Sequence, residues 1–152
     1  MLKALNRVSM KLMAMDDAVW APHANLWSGW SRVSILPLLA LAVWSRVWIG
    51  RWAIVVVGAV LLWTWLNPRL FPAPMSIDNW MSQGALGERI WSLRADDPVL
   101  AHHASVISVL AAAIIVGALL LLAGSALLNV PLTTTGLAIT MLAKLWLLDR
   151  MV

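Results

Sequence analysis

The residues from Pro98 to Ala143 form a run of 46 positions without Asp, Glu, Lys or Arg, and Asn129-Val-Pro131 lies near its middle. Such a run is too long and too apolar for a soluble core, and about 20 apolar residues suffice for one helix to cross the hydrocarbon layer. It therefore predicts two membrane-crossing helices, residues 98–128 and 132–148, joined by a tight turn.

Composition agrees with a membrane protein. The chain is 62% hydrophobic and 12% charged, where soluble domains have about 25% charged residues, and its mean hydropathy is +0.84. The absence of cysteine excludes disulfides, thiolate metal sites and cysteine nucleophiles. Although the net charge is +4, the basic residues are scattered along apolar segments, so the expected counter-charge is anionic lipid and not nucleic acid.

A second apolar block precedes this run, at residues 33–66. Ser45, Arg46, Gly50 and Arg51 divide it into 33–49 and 52–66. Each half is short for a hydrocarbon layer of about 30 Å, and a short helical hairpin fits best. Arg46 is the charged residue within the first half of this block. It lies close enough to the turn for its side chain to reach the membrane surface.

Two further segments are predicted to lie on the membrane surface. Residues 1–19 carry apolar side chains at steps of four and three with basic residues elsewhere, which indicates a retained amphipathic helix; a helix packed on a neighbouring subunit is the alternative. Residues 67–97 open with three prolines that oppose a continued helix, yet they are too apolar for a free loop. Asp97-Pro98 then favours a helix start.

These segments predict an all-α, polytopic membrane protein with four transmembrane helices as two hairpins, plus an N-terminal amphipathic interfacial helix. With four crossings, both termini and the connection 67–97 share one side. That side would hold nine of the eleven Lys and Arg residues, and the other would hold Arg46 and Arg51. The positive-inside rule then places both termini in the cytoplasm, with the chain in the cell inner membrane.

Polar residues gather at the predicted cytoplasmic edge, and none of the four spans carries a charge near its middle, which weakens a transporter interpretation. The arginine forks suit lipid phosphates, whereas the alternative is a set of ordinary helix caps and local ion pairs. The candidate residues for binding a headgroup, another ligand or a partner are His23, Asn25, Arg32, Asn67, Arg69, Asp78, Asn79, Glu88, Arg89, His102 and His103.

Neither a metal site nor a catalytic site is predicted. Adjacent side chains on a helix diverge by about 100°, so His102 and His103 do not share a face as ligands of one ion usually do. A single imidazole could still hold a haem or a pigment, which keeps either histidine as an alternative; the sequence requires no cofactor. No nucleophile or phosphate-loop motif occurs.

Small residues mark the first helix of the long uncharged run. Ala113 and Gly117 are four positions apart, and Gly124 follows. Such residues let a second membrane helix approach closely, so these three are predicted to pack against a neighbouring helix.

Three stretches, the third of them in two parts, resemble a known family. They are His23-Ala-Asn-Leu-Trp-Ser-Gly-Trp-Ser-Arg32, Leu62-Trp-Thr-Trp-Leu-Asn-Pro-Arg-Leu-Phe-Pro72, Asp78-Asn-Trp80 and Gly84-Ala-Leu-Gly-Glu-Arg-Ile-Trp91. The chain resembles, over roughly residues 20 to 150, a family of small, tryptophan-rich prokaryotic membrane proteins catalogued only as a domain of unknown function. The resemblance implies a bacterial or archaeal origin and a four-helix membrane fold, and it implies no activity.

The leading functional hypothesis is a non-catalytic accessory or assembly subunit of a larger membrane complex, such as a photosynthetic or respiratory one. Its partners would be the lipid bilayer and other membrane subunits. The alternative is a membrane enzyme or binding protein for a lipid headgroup or metal that uses the arginines and histidines of the cytoplasmic edge. A homo-oligomeric channel is third, and it requires Thr133 to Thr135 to face water.

Overall fold

The computed structural model describes residues 17–94 and 104–152. The regular elements among these residues are all α or 3-10 helices, and none is a strand. The all-α prediction is confirmed for these residues. The helices are α1 Asp17–His23, α2 Leu26–Val33, α3 Ile35–Trp44, α4 Arg46–Ile49, α5 Ala53–Leu70, α6 Trp80–Arg94, α7 Ala104–Leu127 and α8 Val130–Asp149. The predicted amphipathic helix falls largely on residues 1–16, outside the described residues, as does the predicted helix start at Asp97-Pro98.

Among the described residues, three helical segments are long and apolar enough to cross a membrane: Leu26–Leu70, Ala104–Leu127 and Val130–Asp149. The first contains 45 residues, about twice what one crossing requires, and the others contain 24 and 20. These lengths and compositions support a membrane protein. The number of crossings stays a prediction, because the first segment bends within its length.

The first segment folds back on itself at Gly50. Its φ of +57° is a left-handed conformation that glycine adopts without the steric cost of a Cβ. On the two sides of this turn, the Ser28 hydroxyl in α2 donates a hydrogen bond to Asn67 Oδ1 in α5 over 2.9 Å. The Asn67 amide in turn donates to Ser31 Oγ over 2.7 Å. Helices α2 to α4 and helix α5 therefore run as two arms of a hairpin.

Helix α5 continues to Leu70, beyond the predicted end at residue 66. Pro68 lies in its last turn, where sequence analysis predicts that proline ends the helix. Asn67 is completely buried, and its two serine partners attach this last turn to α2. The chain leaves the helix before Pro72, whose carbonyl accepts a hydrogen bond from the Asn25 amide over 3.1 Å.

A tight turn joins α7 to α8 at Leu128-Asn129, where the sequence predicts one. Leu128 has a φ of +53°, and the Asn129 N–H donates to the Gly124 carbonyl over 2.9 Å, as in a Schellman helix end. The Asn129 side chain then accepts the Leu132 N–H over 2.9 Å and caps the start of α8. Leu128 and Asn129 thus end α7 and begin α8.

Helices α7 and α8 approach each other through small residues. A Cβ on Gly117 would lie 2.5 Å from Thr140 Oγ1, and one on Gly124 would lie 2.8 Å from Thr133 Oγ1. A Cβ on Gly136 would collide with the backbone nitrogen of Leu121. The Thr133 hydroxyl donates to the carbonyl of Asn129 and the Thr140 hydroxyl donates to that of Gly136, so neither hydroxyl is left unsatisfied by the contact.

Arg46 connects the first hairpin to the end of α7. Its Nη2 donates to the carbonyls of Ser125 and Ala126 over 2.6 and 2.7 Å. The last carbonyls of a helix have no partner within the helix and lie at the negative end of its dipole, so a guanidinium satisfies both requirements. The structure thus gives this side chain a backbone partner, and its predicted extension to the membrane surface stays a prediction.

Helix α6 is docked at the opposite end of the bundle from Arg46. The Ser82 hydroxyl donates to the Ala24 carbonyl over 2.6 Å, which attaches α6 to the residues before α2. The Trp80 indole N–H donates to Asp149 Oδ1 over 3.0 Å, which attaches α6 to the end of α8. The connection predicted to lie on the membrane surface therefore closes this end of the helix bundle.

We expect Gly136→Ala to lower the free energy of unfolding by about 1 to 3 kcal/mol, because the new methyl group meets the α7 backbone, which cannot rotate away. The matched control is Gly58→Ala, since a Cβ at Gly58 has nothing within 4 Å. Alanine favours the helical state over glycine, so this control should leave stability unchanged or raise it. Reversible unfolding in mixed micelles measures both; equal losses would contradict the packing argument.

Candidate functional site

A cavity of about 330 Å³ lies where α2, α6, α7 and α8 meet. Its walls divide into two parts. Four titratable side chains, His23, Arg32, Glu88 and Lys144, form its charged end, because contacts join them in two pairs and the pairs act on each other electrostatically. The remainder is mainly apolar and includes Val33, Leu36, Met81, Ile114 and Met141.

His23 and Arg32 form one pair at the charged end. Arg32 Nη1 is hydrogen-bonded to His23 Nδ1, and Nη2 donates to the His23 carbonyl over 2.9 Å. A guanidinium is only a donor, so Nδ1 accepts; the ring is therefore neutral and carries its proton on Nε2. Burial, together with the charge of Arg32, lowers the pKa of His23 from 6.5 to about 3. His23 thus serves as an acceptor that orients Arg32.

Glu88 and Lys144 form the second pair, between α6 and α8. Lys144 Nζ lies 2.6 Å from Glu88 Oε1. Burial alone would raise the pKa of Glu88, but the charge and hydrogen bond of Lys144, with a smaller effect of the Arg32 charge, lower it below its usual value. Glu88 is therefore ionised at neutral pH.

Three of the sequence-predicted candidates thus share this cavity: His23, Arg32 and Glu88. Three others cap or bridge helices elsewhere in the fold. Asn25 accepts the N–H groups of Trp27 and Ser28 at the start of α2, and Asn79 accepts the Ser82 N–H at the start of α6. Asn67 joins the arms of the first hairpin. The same short amides that suggested a ligand site are N-caps and bridges here.

The remaining candidates do not line the cavity. Arg69 lies over the Trp65 ring at 4.0 Å and donates to the Trp65 carbonyl. Arg89 lies 6.0 Å from the Trp20 ring, and Asp78 is exposed in the connection before α6. His102 and His103 lie outside the described residues.

The helix-packing candidates are on α7. Gly117 and Gly124 lie against Thr140 and Thr133, and Ala113 packs on a cluster that contains Leu110 and Ala143. Thr133 faces α7 in this arrangement, whereas Thr134 and Thr135 are exposed.

Sequence reasoning missed Lys144 as a site residue and counted it only as a topology signal. Its position carries a clue: it lies four residues after Thr140 on a helix that is otherwise uncharged until Asp149. A single cation one turn inside an apolar helix normally has a partner. The methionines of the wall, Met81 and Met141, give no comparable signal because methionine fills gaps in many apolar contacts.

The model of the family of unknown function DUF6653 matches residues 4–152, nearly the whole chain. The chain belongs to this family. The resemblance found in the sequence is thereby confirmed. No curated protein and no solved structure matches the chain. The description of DUF6653 assigns it no function.

The charges around the cavity indicate which kind of ion would suit it. Within residues 17–94 and 104–152, no group of three or more His, Cys, Asp or Glu side chains is placed to hold an ion. Two cations, Arg32 and Lys144, also lie at the charged end, and their charge disfavours the binding of a further cation there. The arrangement suits an anion next to an apolar chain.

We expect the protein to lose stability as the pH falls from 7.5 to 5. The unfolded chain protonates His23 near pH 6.5, whereas the folded chain resists protonation until about pH 3, so acid favours the unfolded state over this interval. The stabilisation by Glu88 is lost only below its ordinary value of 4.5. The variant His23→Gln keeps an acceptor for Arg32 without titrating.

Thermal unfolding at several pH values checks this expectation. The melting temperature of His23→Gln should fall less between pH 7.5 and 5 than that of the natural protein. Identical pH profiles for the two proteins would show that His23 is not held neutral in the fold.

Proposed function

We propose that this DUF6653 protein binds an anionic membrane amphiphile in the cavity between α2, α6, α7 and α8. The observation that carries the proposal is the division of the cavity into a charged end, with Arg32 and Lys144, and an apolar wall. A ligand with an acidic headgroup and a hydrocarbon chain has the same division. Binding sites of this kind are mostly apolar with a few polar groups that fix orientation.

At the charged end, Arg32 and Lys144 retain N–H groups that can donate hydrogen bonds to a ligand. Hydrogen bonds to His23 use two of the five N–H groups of Arg32, and Glu88 takes one of the three N–H groups of Lys144. A phosphate or carboxylate can accept several charge-assisted hydrogen bonds from such groups. His23 holds the guanidinium in place beforehand, which reduces the entropy lost on binding.

The size of the cavity indicates how much of the ligand it holds. Leu36 follows Arg32, and Thr140 precedes Lys144, by one helical turn of about 5.4 Å, so the wall extends a short way from the charges. A volume of about 330 Å³ is near the lower limit for ligand sites. The site suits a headgroup and the first carbons of a chain, and the rest of the chain would lie in lipid.

We further propose that Leu26–Leu70 crosses the membrane twice, which gives four crossings with both termini in the cytoplasm. The contact of Ser28 with Asn67 supports this, because residues at the two ends of the segment lie at one level while Gly50 lies at the turn. The cavity, at the level of Lys144, would then face the cytoplasmic leaflet, where anionic lipids are enriched.

The absence of cysteine makes this topology directly testable. We expect Arg51→Cys and Val130→Cys, both at exposed turn positions, to react with an impermeant maleimide applied from outside. Asp78→Cys and Val152→Cys should react only after permeabilisation. Labelling of positions 51 and 78 from the same side would refute a double crossing.

The ligand proposal predicts selective stabilisation by anionic lipid. Added phosphatidylglycerol should raise the melting temperature of the purified protein, and phosphatidylcholine should not. Arg32→Gln should weaken phosphatidylglycerol binding about tenfold or more, because a charge-assisted hydrogen bond contributes about 1.5 to 3 kcal/mol and 1.4 kcal/mol is a factor of ten.

The matched control is Arg51→Gln, which removes the same charge at an exposed position outside the cavity. It should leave the affinity within about twofold. Equal losses in the two variants would show that the lipid binds by bulk charge, and an absence of stabilisation in the natural protein would refute the proposal.

An accessory subunit of a larger membrane complex is the second candidate function. One observation favours it: only 6% of the most apolar window of Leu26–Leu70 is buried, against 28% in each of the other two segments. Ile54, Leu61 and Leu62 are exposed on α5, so this arm offers a face to a partner as well as to lipid. Mass spectrometry after purification from native membranes distinguishes the two: a stoichiometric second polypeptide supports the subunit, and retained lipid alone supports the binding protein.

A further inference from the structure

The described charged side chains that line the cavity do not balance one another. Among the described residues that line it, Arg32 and Lys144 are cations, Glu88 is an ionised carboxylate, and His23 is neutral because Arg32 donates to its Nδ1. One positive charge is left over. The neighbouring Arg89 lies by Trp20 and Asp149 accepts from Trp80, and neither lines the cavity.

An unbalanced charge next to an apolar wall is costly where water is excluded; the Lys144 and Glu88 side chains are 41% and 26% exposed, so a ligand that covers them raises this cost. A ligand with one negative charge removes this imbalance. A ligand with two negative charges overcompensates, and its second charge lies close to the Glu88 carboxylate. The position of that carboxylate, 2.6 Å from Lys144, therefore decides how much negative charge the site accepts.

We propose that Glu88 is a specificity-determining residue that restricts the cavity to amphiphiles with a single negative charge, a carboxylate or a phosphodiester, and disfavours phosphate monoesters. This rests on the proposed function of the cavity. Glu88 acts by neutralising Lys144, so that Arg32 remains as the net cation for the headgroup. Fatty acids and diacyl phosphodiester lipids share this chemistry, and the test separates them.

The preference for singly over doubly charged ligands should then follow the summed charge of the described lining side chains in a set of variants. Glu88→Gln raises the sum to two positive charges, and Lys144→Gln lowers it to zero. The double variant, with both substitutions, returns it to one without the ion pair. Asp149→Asn is the matched control, because it removes a carboxylate at the end of α8 that does not line the cavity.

Four probes are added at pH 7.5 to the purified full chain in detergent, with binding measured by native mass spectrometry and by melting temperature. They are dioleoylphosphatidylglycerol, a phosphodiester; oleate, a carboxylate; dioleoylphosphatidic acid, a monoester with a charge between about −1.5 and −2; and dioleoylphosphatidylcholine, which has no net charge. Preference for oleate or for phosphatidylglycerol identifies the free acid or the diacyl lipid as the source of the single charge.

We expect the natural protein to bind a monoanion at least fivefold more tightly than phosphatidic acid. Glu88→Gln should shift this ratio at least tenfold toward phosphatidic acid. Lys144→Gln should bind no anion more than about twofold better than phosphatidylcholine, and the double variant should regain the monoanion preference. Asp149→Asn should keep the natural ratio.

Two failures are distinguishable. If the natural protein prefers no anion over phosphatidylcholine, the proposed function falls and the inference with it. If it binds anions but Glu88→Gln leaves the ratio of monoanion to phosphatidic acid unchanged, only the role of Glu88 is overturned. Should Glu88→Gln fail to fold, Lys144→Gln and the double variant still decide, because equal selectivity in those two refutes control by charge.

Discussion

The close approach of α7 and α8 is the contact around which the other helices are arranged. Apolar side chains gain little by leaving lipid for each other, so membrane helices associate mainly through close packing and internal hydrogen bonds. Gly117, Gly124 and Gly136 permit that packing because each faces atoms that a Cβ would displace. At one end of the pair, Arg46 binds carbonyls of α7; at the other, Asp149 accepts a hydrogen bond from Trp80 of α6.

The cavity is a consequence of this arrangement. Helix α8 presents Lys144 to α6, while α2 presents Arg32 to the same space, and Gly29 allows Met81 of α6 to lie directly against α2. The pairs differ in kind: Arg32 and His23 are nine residues apart and belong to one end of the chain, whereas Glu88 and Lys144 are separated by 56 residues. Only the second pair depends on how helices dock, and it also sets the charge of the site.

Part of this could be predicted. The turn at Asn129-Pro131 follows from an asparagine and a proline within a long apolar run, and the structure adds that Asn129 caps the start of α8. His23, Arg32 and Glu88 were singled out as polar residues next to apolar spans. Asn25, Asn67 and Asn79 were singled out for the same reason, yet they cap or bridge helices. A short amide suits a cap and a ligand equally well, so residue type alone does not separate the two.

The sequence by itself determined that the chain is helical, that it is apolar enough for a membrane, and where its tight turns lie, because run length, caps and glycine act locally. Only the tertiary structure decided that Lys144 meets Glu88, that Asn67 joins the arms of the first hairpin, and that Arg46 closes α7. The physical reason is that helices such as α7 and α8 are apolar around most of their circumference, so periodicity does not indicate which face packs. Contacts between small residues and isolated charges make that choice.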